Sequence, residues 1–272
     1  MSSERLSATK TDTDTVTTTH ALPRAAALIA RAGLVLSVAG ALSLLLSGVG
    51  TRWDWWDYRT GFLLLRGTLY AGLVVIVVAL AGLVLGLLAR TGKSLLVSLV
   101  TLGVLAAVAA IPVGYLRSAG RVPPIHDITT DPDDPPRFVA VLPLRREAPN
   151  SAEHAGPALA AQQRAGYPDL APAHLAHPPP QAFARAVEAA RSLGWQIVAT
   201  APAEGRLEAT DRTRWFGFHD DVVVRVVPEA GGSRVDVRSV SRVGRSDLGT
   251  NARRIRRFLE ALETAPAVSP PR

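Results

Sequence analysis

Three long apolar runs near the start of the chain constrain its fold more than any other feature. They cover Ala32–Val49, Gly67–Ala89 and Leu95–Leu116, and none of them contains a charged residue. As a helix rising 1.5 Å per residue, the second run would be about 34 Å long, enough to cross the ~30 Å hydrocarbon layer of a bilayer. We therefore predict a region of three transmembrane helices at residues 25–116.

The first run has a second interpretation, because a basic stretch before it and small residues at its end are also typical of a secretory signal peptide. Arg24 and Arg31 precede the run, which closes on Ser47–Gly50. The polar lead is long for a signal peptide, however, and the apolar run of about 18 residues exceeds a typical signal core. We therefore expect an uncleaved helix, preceded by a disordered tail at residues 1–24.

Four aromatic residues crowd the short segment Thr51–Thr60 between the first and second runs. Amphipathic aromatic rings favour the headgroup level of a bilayer, so these residues are predicted to lie at the membrane interface. A dedicated aromatic binding site is the alternative. The four residues are Trp53, Trp55, Trp56 and Tyr58.

Two glycines in the second run, Gly82 and Gly86, have the GxxxG spacing that lets helices pack closely. Dimerisation through this motif is one interpretation. Packing against another helix of the same chain explains the spacing equally well.

The segment Gly92-Lys93-Ser94 resembles the end of a phosphate-binding loop. That motif requires a glycine where Leu87 stands, and it follows a strand rather than a membrane helix. We therefore predict no nucleotide site there.

The charges that flank the apolar runs predict their orientation, since short cytoplasmic loops carry an excess of Lys and Arg. Arg24 and Arg31 lie before the first helix, and Arg90 and Lys93 lie between the second and the third. Both segments should therefore be cytoplasmic. After three crossings, the rest of the chain would lie outside the cytoplasm.

Charged residues and prolines return after the third run. We assign residues 117–265 to a second domain, which is long enough to bury a core of its own, and residues 266–272 to a tail. The Pro- and Asp-rich segment 118–136 should be extended. Phe138–Leu144 has the pattern of a short strand, and the Ala- and Pro-rich segment 147–180 should wrap over the domain.

The compact part of this domain has the element order α-β-β-β-β-α. Helical periodicity marks its two ends, and apolar runs separated by turn residues mark the strands between them. This order predicts an α+β domain with a four-stranded antiparallel sheet and two helices packed on one face. The predicted elements are a helix from Gln181, strands at 195–200, 206–210, 221–227 and 233–243, and a helix at 248–262 with Ser246 or Asp247 as its N-cap.

Three motifs stand out in the domain: PPIHDITTDP at Pro123–Pro132, YPD at Tyr167–Asp169, and DVRSVSRVGRSDLGTNARRIRRFL at Asp236–Leu259. Together they resemble the bacterial domain-of-unknown-function family 1499 over about Gly120–Leu262. In such proteins a few membrane helices often precede the domain, as they do in this sequence. With the flanking charges, the resemblance implies a bacterial inner-membrane protein with a cytoplasmic N-terminus and a periplasmic domain. It implies no biochemical activity.

Few residues of this chain could carry catalysis. The absence of cysteine excludes disulfides, thiolate zinc sites and cysteine nucleophiles. No metalloprotease, serine hydrolase, nucleotide or Ca²⁺ motif occurs, so we predict no metal and no cofactor. A base lies beside carboxylates at His126-Asp127 and at His219-Asp220-Asp221. These residues support an alternative hypothesis, an envelope hydrolase, although adjacent residues of a strand point to opposite faces.

The main candidate site is the junction between the last strand and the last helix. From Arg234 to Arg257, eight arginines and two aspartates give a net charge of +6. The first N–H groups of a helix carry partial positive charge, so the junction could hold a phosphate or a carboxylate. The predicted anion-binding residues are Arg238, Arg242, Arg245, Ser246, Asp247, Asn251 and Arg254.

An alternative for this junction is a set of internal salt bridges, in which Asp236 and Asp247 pair with the arginines and lock the helix onto the sheet. The arginines of the last helix lie off its apolar stripe, so we expect them to be exposed and available to anionic headgroups. These arginines are Arg253, Arg254, Arg256 and Arg257.

The leading hypothesis is a non-enzymatic membrane protein whose periplasmic domain binds an anionic ligand, an anionic lipid or an envelope protein. The alternatives are the hydrolase and a scaffold that packs against another membrane protein, which an exposed apolar patch would favour. The lipid bilayer itself is an expected partner. Nucleic acid is not expected, because no aromatic stacking platform is interleaved with the arginines.

Overall fold

The computed structural model of this chain describes the backbone of residues 8–265, and the side chains of residues 21–265 other than Ser118. The chain divides into two compact units between Gly114 and Tyr115. The predicted tail at residues 266–272 and the first seven residues lie outside the described residues.

The first unit contains the long helices α1 (Ala8–Arg52) and α2 (Tyr58–Leu88) and most of α3 (Gly92–Ala119). All three helices are long and apolar enough to cross a membrane, as the sequence predicted. Residues 8–24 are helical as part of α1, so the expected disordered tail is wrong over that range. The polar segment continues the helix that the apolar run begins, and local composition alone does not reveal this.

Small residues allow the three helices to approach closely. A Cβ atom on Gly82 would lie 2.8 Å from the Ser98 hydroxyl of α3 and 3.2 Å from Ala30 Cα of α1. A Cβ atom on Gly86 would meet Leu95 of α3 at 3.1 Å. The GxxxG pair therefore serves packing within the chain.

The second unit is built on a six-stranded antiparallel sheet with the order β1-β6-β5-β4-β3, in which β2 also pairs with β6. The four long strands lie where the sequence placed strands. The two extra strands have three residues each, too few for an alternating pattern to be recognised. The strands are β1 (Asp127–Thr129), β2 (Ala173–Leu175), β3 (Gln196–Ala201), β4 (Arg206–Arg212), β5 (His219–Glu229) and β6 (Gly232–Ser241).

Two hairpins set the register of the long strands. In the β5–β6 hairpin Val224 lies opposite Val237. The β3–β4 turn ends at Gly205, whose φ of 61° is left-handed, and a Cβ there would lie 2.1 Å from the Val226 carbonyl oxygen. Only glycine fits this close approach.

Two amphipathic helices cover one face of the sheet: α5 (Pro179–Ser192) and α6 (Thr250–Thr264). Trp195 stacks on the fully buried Phe258 with ring centroids 5.1 Å apart. These helices are the two that the sequence predicted. Their main core partners on the strands are Ile128, Leu207, Ala209, Val222, Val224, Val226, Val235 and Val237.

The opposite face of the sheet is covered by residues 130–156, which we call the strap. Phe138 and Val141 pack on Val223 and Val240 to form a second, smaller core. The strand expected at Phe138–Leu144 is wrong, because this segment is irregular and runs into a 3₁₀ helix at Leu142–Arg145.

Besides β2, the Ala- and Pro-rich region after the strap contains a helix that the sequence did not predict, α4 (Pro157–Gly166). Proline at its first position needs no N–H acceptor, which suits a helix start. The buried Gln163 of α4 donates to Thr129 O at 2.6 Å and accepts from Thr129 N at 2.9 Å. This amide completes the edge strand β1 as a neighbouring strand would.

Candidate functional site

The arginine-rich junction lies between the end of β6 and the start of α6. The connecting loop turns through two left-handed residues, Leu248 (φ 53°) and Gly249 (φ 76°). Gly249 is the N-cap residue, so the prediction of Ser246 or Asp247 at that position is wrong. The Asp247 carboxylate nevertheless accepts from the N–H groups of Gly249 (2.9 Å) and Asn251 (2.6 Å).

Burial raises the pKa of Asp247, and the two backbone hydrogen bonds offset only part of this effect. An anion already occupies the first N–H groups of α6, because the chain supplies its own carboxylate there. The helix start therefore offers less to an external anion than the sequence suggested.

Arg238 is buried on the strap side of β6. Its guanidinium donates to both carboxylate oxygens of Asp127, at 2.9 and 2.8 Å, and to the carbonyl oxygens of Pro136 and Ala152. It also lies over the Phe138 ring at 5.2 Å. These contacts join β6, β1 and the strap, and they engage the guanidinium within the domain.

Arg242 makes the same kind of contact with Asp221, at 2.9 and 2.8 Å. Arg145 of the strap reaches the same carboxylate at 2.6 Å, and Thr210 donates to it as well. Burial by itself would raise the pKa of Asp221, but the hydrogen bonds from Arg242, Thr210 and Arg145 outweigh it and hold the pKa below its ordinary value.

Arg254 was expected to be exposed, and this expectation is wrong: only 5% of the residue is accessible. Its guanidinium donates to Asp220 at 2.6 Å and to Asp211 at 2.7 Å. Arg254 lies off the apolar stripe of α6 but is still buried, because Asp211 at the end of β4 and Asp220 at the start of β5 supply charged partners.

Asn251 lies at the centre of the β6–α6 junction and is fully buried. Its amide donates to His126 O at 2.8 Å and to the Ser241 hydroxyl at 3.0 Å, and its oxygen accepts from the Ser239 hydroxyl and from Arg254. Every polar atom of the amide is engaged within the domain, so no group is left for a ligand.

Two predicted site residues take no part in this buried network at the β6–α6 junction. Arg245 is exposed, and only its carbonyl oxygen takes part in a contact, with His126 Nδ1 at 3.4 Å. The Ser246 hydroxyl accepts from Leu248 N at 3.2 Å. The buried arginines of the junction thus form salt bridges, as in the second alternative, but mostly with other carboxylates than it named: Asp127, Asp220 and Asp221. Asp236 pairs with Arg234, whereas Asp247 accepts only backbone N–H groups.

The residues of the hydrolase hypothesis are placed apart. Asp127, Asp220 and Asp221 each bind an arginine, whereas the His126 ring lies against a backbone carbonyl. His219 begins β5, opposite Arg212 of β4. Among the residues that the structure describes, no group of three or more His, Asp or Glu side chains is arranged to hold a metal ion.

Glu208, which no sequence motif singled out, is fully buried on the strap side of β4. Its carboxylate accepts from the N–H groups of Val139, Ala140 and Val141 at 2.9 to 3.1 Å, and it also binds Arg206. The available signal was the alternation in β4, where polar residues occupy every second position and point away from the α5–α6 core.

The predicted interfacial aromatic residues differ in exposure. Trp53 and Trp55 are 68% and 61% exposed, whereas Trp56 packs over Gly50 and donates to Ser47 O at 3.4 Å. Tyr58 is the first residue of α2. Their position at a membrane interface stays a prediction.

A different set of arginines is exposed around the first two turns of α6 and in the segments beside them, and we call it the outer arginine set. Among the residues that the structure describes, none of its members forms an ion pair. Arg253 donates only to Leu248 O and to the Thr250 hydroxyl, both at 3.1 Å. The set consists of Arg121, Arg245, Arg253 and Arg257.

Helix geometry and contacts place three of these arginines near the start of α6, and Arg245 lies in the loop before it. Arg253 and Arg257 are one helical turn apart on α6. Val122, next to Arg121, lies beside Gly249, since a Cβ there would be 3.3 Å from Val122 and 3.0 Å from Arg253 Nη1. The set therefore forms a positively charged surface at the start of α6.

These features define the class of this chain: a protein with three candidate membrane spans, followed by an α+β domain with a six-stranded antiparallel sheet. The family model described as "Protein of unknown function (DUF1499)" matches residues 127–262, half of the chain. The chain therefore belongs to this family, and the resemblance seen in the sequence is confirmed. The match begins at β1 and ends in α6. No curated protein matches the chain.

Proposed function

We propose that this chain is a non-enzymatic protein of the bacterial inner membrane whose periplasmic domain binds anionic phosphate headgroups through the outer arginine set. One observation carries the proposal: the buried arginines of the junction are neutralised by carboxylates, while the outer set faces solvent without one. Guanidinium groups bind phosphate with two parallel hydrogen bonds, which makes arginine suited to such a ligand.

The short segment between the third candidate span and the domain supports lipid headgroups as the ligand. Arg117 is the last residue of the third candidate span, and Val122 packs at the start of α6. Five residues reach at most about 18 Å when fully extended. This length of chain allows the outer arginine set to reach the bilayer surface, where anionic lipids give a negative potential.

The geometry supports the hydrolase hypothesis less than it supports headgroup binding. A general base must reach a proton at hydrogen-bond distance, and a catalytic carboxylate must be free to exchange protons or bind water. Asp127, Asp220 and Asp221 are buried and held by Arg238, Arg254 and Arg242. The His174–Glu229 pair at 2.7 Å lies on the open surface, with 63% of the histidine side chain exposed.

The test uses the full chain in lipid nanodiscs that contain phosphatidylcholine with or without phosphatidylglycerol. We expect amide hydrogen exchange of the first turn of α6 to slow when the anionic lipid is present. The variant R253Q/R257Q should lose this protection, because it removes two charges from the outer arginine set.

The matched control is R137Q/R146Q, which removes two exposed arginines from the strap on the opposite face of the sheet. This control should keep the slow amide hydrogen exchange in the first turn of α6. In the wild type, added salt should make that exchange faster. Equal exchange in both kinds of nanodisc, or equal loss in both variants, would refute headgroup binding by the outer arginine set.

A second candidate, the scaffold that packs against another membrane protein, is favoured by one specific observation. The strap exposes three large apolar side chains, Val139 (53%), Leu142 (43%) and Leu144 (53%). Such a patch is typical of a protein contact. A photo-crosslinking residue at Leu142 should then give a heavier adduct in cells, and one at Arg257 should not. Absence of an adduct at Leu142 would remove this candidate.

A further inference from the structure

The membrane unit contains a cavity of about 510 Å³ that the proposed function does not use. It lies between α1 and the start of α3, and it is lined by Arg31, Lys93 and Ser94 together with apolar side chains. The cavity is at the end of the helices opposite the tryptophan-rich loop. Its volume is in the range of small-molecule sites.

Two cations from different elements face this cavity. Arg31 belongs to α1 and Lys93 to the first turn of α3, and both are exposed. Among the residues that the structure describes, neither forms an ion pair. Two unpaired cations beside one cavity favour an anion between them.

The start of α3 adds hydrogen-bond donors. Leu95 N–H donates to Thr91 O at 3.2 Å, so the N–H groups of residues 92–94 precede the first hydrogen bond of the helix. These N–H groups lie at the positive end of the dipole of α3, which extends to Ala119. They are donors suited to a phosphate oxygen.

A buried polar side chain independently points to a ligand. Thr91 and Ser94 both line the cavity, and Ser94 is only 4% exposed. The hydroxyl of Thr91 is buried and has no hydrogen-bond partner among the described residues. Buried hydroxyl groups normally find a partner, and a phosphate oxygen in the cavity would supply it.

The remaining lining is apolar, with Ala27, Leu96 and Val97 beside the polar end. An amphipathic ligand with a phosphate at one end and hydrocarbon at the other fits this distribution. We infer that the cavity is a binding site for an anionic phospholipid, with its phosphate between Arg31, Lys93 and the start of α3 and an acyl chain along Leu96 and Val97. This site is separate from the outer arginine set and does not depend on it.

The experiment uses the full chain, purified in detergent and stripped of lipid, and measures lipid binding by native mass spectrometry with phosphatidylglycerol and phosphatidylcholine. We expect phosphatidylglycerol to bind in preference. The variant R31Q/K93Q should weaken its binding at least about tenfold, because both cations near the phosphate are lost.

The matched control is R24Q/R90Q, which removes two exposed cations at the same end of the helices that do not line the cavity. It should bind phosphatidylglycerol like the wild type. Equal weakening in both double variants would show general attraction to a basic end and would overturn the site.

Two further arms complete the test. Excess inorganic phosphate should leave the bound lipid in place, and its release would show a site for free phosphate instead. Thr91→Val keeps both cations and the shape of the side chain, and it should still reduce the preference for phosphatidylglycerol. If Thr91→Val leaves that preference unchanged, the phosphate does not lie at the start of α3 and the inference fails, whether or not R31Q/K93Q folds.

Discussion

At the residue scale, arginine and carboxylate side chains organise the strap side of the sheet. Asp221 is fully buried between Arg145 and Arg242, and Asp127 is held by the buried Arg238. A buried pair gains little over an apolar pair of the same volume, but removing one partner leaves a buried charge uncompensated. These residues therefore fix the strap and the β6–α6 junction in one arrangement.

Asp221→Asn tests this role. The substitution leaves two arginines, one of them fully enclosed, without a counter-charge, so the free energy of unfolding of the domain should fall by about 3 to 5 kcal/mol. Pulse proteolysis of the full chain in urea and detergent measures this change. Asp169→Asn is the control, because the Asp169–Arg256 pair is exposed and should contribute only about 0.2 to 1 kcal/mol. Equal effects of the two substitutions would contradict the role of burial.

The pKa of Asp221 adds a pH dependence. Because its folded-state pKa is depressed below the ordinary 3.8, its contribution to stability is present above 3.8 and is lost as the pH falls through the folded value. The difference in free energy of unfolding between the wild type and Asp221→Asn should therefore shrink below pH 3.8. Asp247, whose pKa is raised by burial, acts in the opposite sense in both proteins and cancels in the comparison. A difference that stays constant below pH 3.8 would contradict the lowered pKa.

At the element scale, the strap depends on one carboxylate. Glu208 accepts the N–H groups of residues 139–141, which in a strand would bond to a neighbouring strand. The irregular strap can therefore lie on the sheet without leaving buried donors unpaired. The same contact explains why the apolar pattern at Phe138–Leu144 does not produce a strand.

Glu208→Gln should loosen the strap while the sheet stays folded. A neutral amide accepts fewer and weaker hydrogen bonds than a carboxylate, so amide hydrogen exchange at residues 139–141 should accelerate by about tenfold. Glu204→Gln is the control, because Glu204 binds the same Arg206 but is exposed, and among the described residues its carboxylate accepts no N–H group of the strap. Unchanged exchange at residues 139–141 in Glu208→Gln would show that another group holds the strap.

At the scale of the whole molecule, three candidate spans and the charges beside them predict which side of the membrane each part occupies. The N-terminus and the loop with Arg90 and Lys93 should be cytoplasmic, and the α+β domain periplasmic. The outer arginine set and the lipid cavity would then act on opposite sides of the membrane.

Reporter fusions test this topology. Alkaline phosphatase fused after Arg272 should be active, and a fluorescent protein at the same place should stay dark. Fusions after Thr91 should give the reverse pattern. Phosphatase that is inactive after Arg272, or a chain recovered in the aqueous fraction without detergent, would remove the periplasmic assignment and with it the proposed function.

By itself, the sequence determined the parts that depend on local and periodic patterns. The apolar runs specify the membrane helices, apolar runs separated by turn residues specify the four long strands, and helical periodicity specifies α5 and α6. Only the tertiary structure decided which charges meet. Arg238 and Asp127 are 111 residues apart, and Arg145 and Asp221 are 76 apart. No local pattern encodes such pairs, because folding alone brings their strands and the strap together, and this pairing separates the buried arginines from the exposed ones.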